Sequence, residues 1–167
     1  MRRLRREGGD LELARALILA AGDFTEITTG SPASEADVLS LFDDLPPGRT
    51  MADKFVLGFF AGTRLVGIAD VVRGWNAPDK AIIGLLLFRP EARGRGYGRA
   101  ALDRIELLTA AWPNMTRLRI GVDATHIAAL AFWRHMGFAE TGEIRPRTVP
   151  YAADILVFEK NLRMEKT

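Results

Sequence analysis

The chain has 167 residues, enough for one domain with a sizeable core. Hydrophobic residues make up 48% and charged ones 26%, a globular balance, and no apolar run approaches the roughly 20 residues of a membrane span. The net charge of +2 is too small to argue for nucleic acid, and the lack of cysteine excludes disulfides, thiolate metal sites and a cysteine nucleophile.

Only His126 and His135 are present, too few for a histidine-rich metal centre, so no metal site is expected. The basic start, Met1 to Glu7, is not followed by a clean secretory pattern. Leu17–Gly22 is a weak imitation that Glu12 and Arg15 interrupt, so a cytoplasmic protein without membrane attachment is expected.

Arg2–Arg6 reads as a short edge strand. Asp10 is placed to cap a helix over about Leu11–Ala21, with Leu13, Leu17 and Ala20 on one face. Gly22–Pro32 is mixed in character and expected to be irregular. Ser34-Glu35-Ala36-Asp37 has the capping-box form, and the helix it opens should stop near Asp44, before Pro46-Pro47-Gly48. Phe55–Ala61 and Leu65–Arg73 read as strands joined by a hairpin turn, and Ala81–Phe88 as a buried strand. A helix over about Tyr97–Ala111 follows, then an alternating strand at Arg117–Asp123 with Leu118, Ile120 and Val122 on one side. Ile127–Met136 reads as a helix ended by Gly137, and strands near Phe138–Ile144 and Ala153–Lys160 close the chain. The order predicts an α/β domain with a mixed sheet, whose strand–helix–strand unit around residue 100 is parallel and right-handed.

The most informative stretch is Arg93-Gly94-Arg95-Gly96-Tyr97-Gly98-Arg99, between a strand and a helix start. A glycine-rich turn there leaves backbone N–H groups unpaired and aims the positive end of the helix dipole at its occupant, which suits a phosphate. The glycines do not give the Gly-x-Gly-x-x-Gly dinucleotide spacing, and no P-loop Lys-Ser/Thr follows. Arg93, Gly96 and Gly98 do fit Arg-x-x-Gly-x-Gly, which resembles the pyrophosphate-binding signature of the GNAT superfamily of acyl-CoA-dependent N-acyltransferases. A second stretch, His126 to Phe138, resembles that superfamily's C-terminal pattern. Ala129, Phe132, Gly137 and Phe138 fall on their places, while His126 replaces the usual Asn and Trp133 the usual Tyr. Leu45–Gly48 and Lys54–Gly58 also look like a subgroup of GNAT proteins.

The resemblance implies a single GNAT domain over residues 1–167, with a twisted mixed sheet of about six or seven strands and about four flanking helices. It implies acetyl-CoA as cosubstrate and an amine as acceptor, with a homodimer as a compatible assembly. Gly94, Arg95, Gly96, Tyr97, Gly98 and Arg99 would offer main-chain N–H groups to the pyrophosphate, and the Arg93, Arg95 and Arg99 side chains would add charge. The main chain of Leu86, Leu87 and Phe88 would pair with the pantetheine arm. His126 would contact that arm, and Trp133, which is no useful acid, would pack against the coenzyme.

An alkyl amine of pKa about 10 must lose a proton before it attacks. Candidate proton-transfer residues are His126, Asp70, Tyr151 and, behind them, Asp123 and Tyr97. Phe24, Trp75 and Tyr151 are candidates to line an acceptor pocket. N-terminal acetyltransferases of this superfamily often carry Glu at the place of Gly121, so its absence favours a small-molecule acceptor over a protein or peptide amine. The lost tyrosine leaves a second reading open, an acyl-CoA-binding or sensing protein with little catalysis. A nucleic-acid patch on the arginine loop ranks last, because no aromatic interleaving accompanies it.

Overall fold

A computed structural model describes residues 1–151 and 153–162. Its elements follow in chain order: β1 (Arg2–Arg3), α1 (Gly9–Ala20), α2 (Asp23–Thr29), α3 (Glu35–Asp43), β2 (Lys54–Ala61), β3 (Arg64–Arg73), β4 (Lys80–Phe88), a 3-10 turn (Pro90–Ala92), α4 (Tyr97–Ala110), β5 (Arg117–Asp123), α5 (Ile127–His135), β6 (Ala139–Arg145) and β7 (Ile155–Asn161). The strands form one seven-stranded mixed sheet in the order β1-β2-β3-β4-β5-β7-β6. Only β4 and β5 are parallel, with α4 as their crossover; every other neighbour is antiparallel. No helix among the described residues is long and apolar enough to cross a membrane.

Most expected elements are present, with three differences. The first is Asp10, which does not cap α1. It lies inside the first turn, behind Gly8, and its carboxylate accepts from the Arg5 N–H at 2.9 Å and pairs with Arg2. It therefore ties the short edge strand to the helix. The second is the buried face of α1, which is Ala14, Leu17 and Ile18, rotated from the expected one; Ala20 is exposed. The third is Gly22–Pro32, which is largely helical, as α2. Its threonines are poor helix formers, and the Thr28 and Thr29 hydroxyls donate back to carbonyls four residues earlier. Tertiary contacts hold it, including a two-pronged ion pair between Asp23 and Arg93. The capping box is as expected: the Asp37 carboxylate accepts from the Ser34 N–H at 2.7 Å.

Each face of the sheet buries a separate core. On one side α4 and α5 press Leu102, Ile105, Leu130 and Trp133 onto Val71, Ile83, Leu118 and Ile120. On the other, α1 and α3 press Leu17, Ile18, Val38 and Leu41 onto Val56, Ile68 and Leu87 of β2, β3 and β4. Toward β5–β7 the same face carries charge instead. Glu159 pairs with Lys80 at 2.6 Å and with Arg119 at 3.0 Å, and Arg119 also pairs with Glu143. Burial opposes the charged form of Glu159, but the hydrogen bonds from Lys80 and Arg119 outweigh it and hold the carboxyl below its ordinary range.

Candidate active site

The parallel pairing of β4 with β5 is short. It runs from Lys80↔Arg117 to Ile83↔Ile120 and stops, although both strands continue. The cause lies on the other edge of β4. Asp70 of β3 faces Leu85 while the next residue, Val71, faces Ile83, so Gly84 is an extra residue, a β-bulge. The bulge bends β4 away from β5. Gly84 and Gly121 are each exposed within largely buried strands, one on either side of the opening, and Leu85 and Leu86 just past Gly84 are half-buried.

Past the bulge, Arg89 donates its N–H to the Val66 carbonyl at 3.0 Å. By the alternation of an antiparallel ladder, Leu87 and Leu85 then turn their main-chain groups toward β3, and Leu86 and Phe88 turn theirs toward the gap. This corrects the expectation for Leu87, whose main chain is engaged with Ile68. The Phe88 carbonyl is also taken, by Arg93 Nε at 3.1 Å. The open edge is therefore carried chiefly by Leu86.

The glycine-rich turn sits at the far end of this gap. The N–H groups of Gly94 through Arg99 have no backbone partner among the described residues, and Ala100 is the first to bond, to the Gly96 carbonyl at 3.1 Å. Gly94 and Gly96 have φ of 70° and 81°, a conformation that favours glycine. Gly98 is glycine for another reason: a β-carbon there would come within 2.9 Å of Phe132 on α5. Arg99 lines the cleft below the turn, whereas Arg95 is turned onto the Tyr97 ring, 5.9 Å from its centroid. Arg93 is committed to Asp23 and to the Phe88 carbonyl.

Two cavities meet at the opening. One, of about 550 Å³, runs from Gly84 along Leu86 to the turn and is floored by Ala129, Phe132 and Trp133. Trp133 is buried and packs edge-on against Phe132 and Phe138 at 5.1 and 5.0 Å. The other, of about 910 Å³, opens on the opposite side of Gly84 and Gly121. Phe24, Trp75 and Tyr151 line it, as do Asp70, Asp123 and Arg145. His126 lines both. Tyr97 lines neither and packs on the α4–α5 core, so the expectation of a proton donor there is not met.

His126 is the N-cap of α5. Its Nδ1 accepts from the Ala129 N–H at 3.3 Å, which places the proton of the neutral ring on Nε2 and leaves Nδ1 engaged. Asp70 is paired through Oδ2 with Lys54 Nζ at 2.8 Å, and Lys54 is 1% exposed. Its Oδ1 is buried with no partner. Burial pushes the Asp70 carboxyl above the ordinary carboxylate range, and the Lys54 charge and hydrogen bond only partly oppose this. A β-carbon on Gly84 would lie 3.1 Å from Asp70 Oδ2, so this carboxylate sits at the bulge itself.

Sequence reasoning missed Arg145 and, on α2, Asp23 and Ile27, which line the smaller cavity beside the expected Phe24. A signal for Arg145 was available in Gly121: glycine inside an apolar strand often marks a close approach by another group. Here that group is Arg145 Nη2, which a β-carbon on Gly121 would strike.

The wider comparisons agree with this architecture. An acetyltransferase from Thermus thermophilus superposes with a TM-score of 0.68 at 24% identity, over 92% of this chain and 91% of that one. The ribosomal-protein-S18-alanine N-acetyltransferase from Escherichia coli gives 0.65 at 20% identity, over 99% and 94%. A spermidine N-acetyltransferase from Vibrio cholerae, solved with CoA and spermine, gives 0.70 at 17% identity, over 96% and 94%. No curated protein matches the sequence. Residues 22–138, well over half of the chain, match the acetyltransferase (GNAT) family, and with the bulged β4, the parted strands and the turn into α4, this chain belongs to that family.

Proposed function

We propose that the protein is a single-domain N-acetyltransferase that moves the acetyl group of acetyl-CoA onto a primary amine of a small-molecule acceptor, by direct attack in a ternary complex. The observation that carries this reading is the parting of β4 from β5 after Ile83, in line with the unpaired N–H groups of the turn into α4. The coenzyme's diphosphate would take those N–H groups, with the α4 dipole behind them and Arg99 beside them. The pantetheine amides would pair with the Leu86 main chain, and Ala129, Phe132 and Trp133 would supply an apolar floor. The thioester would then reach Gly84 and Gly121, where the two cavities join. His126 Nε2–H stands at that junction as a hydrogen-bond donor.

Asp70 is the base this reading favours. Its raised pKa and free Oδ1 suit it to take a proton from an ammonium group. The freed nitrogen lone pair forms the C–N bond, the C–S bond breaks, CoA leaves as the thiolate, and the nitrogen sheds its second proton to solvent to give the amide. No tyrosine lines the coenzyme-side cavity among the described residues, so solvent protonates the thiolate, which with a thiol pKa of about 8.5 needs no dedicated acid. Asp70 returns its proton to solvent. Tyr151, on the loop before β7, would border the acceptor side.

A small acceptor is favoured by Gly121, since Arg145 crosses the place where a longer side chain would stand. The Vibrio cholerae relative, solved with spermine, likewise serves a small amine. The test is release of free CoA thiol from acetyl-CoA in the presence of a panel of small primary amines. Amine-dependent release supports the reading. Saturable acetyl-CoA binding with no release for any amine would contradict it and favour an acyl-CoA sensor.

A further inference from the structure

Three buried polar atoms in the described structure have no hydrogen-bond partner: Asp70 Oδ1, Asp123 Oδ2 and Arg145 Nε. All three residues line the larger cavity. Asp123 is 4% exposed, and its other oxygen is taken by the Thr125 N–H at 2.8 Å and the Thr125 hydroxyl. Arg145 has no carboxylate partner among the described residues; its guanidinium lies 5.9 Å from the Trp75 ring centroid and reaches across to Gly121. Unmet hydrogen-bonding capacity of this kind is costly in a protein interior, and its concentration in one cavity points to a polar ligand.

The sheet register places the two charges. Asp123 and Arg145 both pair with Ile155, from opposite sides, so the two side chains leave the same face of the sheet. Arg145 extends over Ile155 to Gly121, two residues before Asp123 on the same strand face. Opposite charges thus stand on one face without bonding to each other. The Gly121–Asp123 step along a strand is about 6.6 Å. An α-amino acid, with one contact of about 2.9 Å at its nitrogen and one at its carboxylate, reaches across a separation of that order when the two contacts are not collinear with it.

Resting on the acetyl-transfer reading, we infer that the acceptor is a zwitterion: its carboxylate is held by the Arg145 guanidinium and its amino group lies between Asp123 and Asp70, facing the thioester at Gly84 and Gly121. A planar guanidinium suits a carboxylate through paired N–H donors. The two unpartnered aspartate oxygens suit an ammonium group before its proton is removed. Arg145 is a specificity-determining residue in this arrangement, and Asp123 an anchor for the amine.

The test uses the full chain with acetyl-CoA and two sets of acceptors: the free L-amino acids, and their methyl esters and decarboxylated amines. The free acids are expected to be acetylated with at least a tenfold higher kcat/KM than their carboxylate-free counterparts. In Arg145→Gln the kcat/KM for the preferred acid should fall about 30–100-fold, the ratio between the two sets should collapse, and acetyl-CoA affinity should persist as evidence of folding. Arg145→Lys should recover part of the ratio. Equal or better transfer to the carboxylate-free set overturns the inference and leaves the acetyl-transfer reading standing, whereas no transfer to either set by a protein that binds acetyl-CoA overturns both. Failure to bind acetyl-CoA at all overturns the acetyl-transfer reading on which it rests.

Discussion

Lys54 Nζ, the most deeply buried ammonium of the described chain, lies 2.8 Å from Asp70 Oδ2 and 2.8 Å from the Asp44 carbonyl. It supplies the charge that keeps Asp70 ionisable inside the sheet. Removing one member of a buried pair leaves the other uncompensated, so Lys54→Met should lower stability by about 3–5 kcal/mol at neutral pH. The sign with pH follows from Asp70. Its folded pKa lies above its unfolded one, so its contribution to stability is complete below the unfolded value and is lost as pH rises through the folded value. Without Lys54 that pKa rises further. Urea titrations between acid and neutral pH should therefore show the variant losing more stability than the parent as pH increases; parallel curves would contradict the pairing.

The same carboxyl gives a kinetic expectation. The base is active only when ionised, so the acid limb of the kcat/KM profile should lie above the ordinary carboxylate range and rise with pH through the Asp70 pKa. Asp70→Asn should cut kcat by about 100-fold or more and abolish that limb, with acetyl-CoA affinity within about twofold of the parent. An unchanged acid limb in the variant would move the base to another residue.

Gly121 offers a separate handle. A β-carbon there would meet Arg145 Nη2 and, at 2.7 Å, Ile155 Cγ2. Arg145 is the flexible partner and should be displaced. Gly121→Ala is expected to raise the acceptor KM about tenfold, while leaving the coenzyme turn untouched; steady-state assays with varied acceptor measure this, and an unchanged KM would place Arg145 outside the acceptor site.

Glu159 ties three strands through Lys80 and Arg119. Its folded pKa is below the unfolded value of about 4.3, so the stability it contributes is present above that value and lost as pH falls through the folded one. Glu159→Gln should cost about 2 kcal/mol at neutral pH, and the difference from the parent should shrink on acidification below pH about 4. Thermal denaturation at the two pH values checks this.

The strands from Phe55 to Phe88, the strand Arg117–Asp123 and the helices after the glycine turn and after His126 were legible because apolar periodicity and glycine stops act locally. The helix Asp23–Thr29 was not, because a short threonine-rich segment gains its helicity from Arg93 and the core rather than from its own residues. Asp10 looked like a cap because a cap and an ion-pair partner share the same residue type. The coenzyme turn could be read from Gly94, Gly96 and Gly98, yet which β4 residues face the gap could not. That depends on one extra residue, Gly84, in a pairing with β3 that no local pattern encodes. Gly121 signalled a close approach by some group, but that the group is Arg145 could not be read, because it reaches Gly121 across an intervening strand.

The central claim is that the turn from Gly94 to Arg99 holds a coenzyme diphosphate, and calorimetric titration of acetyl-CoA into the parent and into Gly96→Trp tests it most directly. A β-carbon at residue 96 meets nothing of the protein within 4 Å, but the φ of 81° there strains any residue other than glycine, so the substitution both crowds the turn and disturbs its main chain. Saturable one-to-one binding by the parent, lost in a Gly96→Trp variant that keeps the parent's circular dichroism, is the expected result. Equal affinity in both proteins, or no heat from the parent, would contradict it.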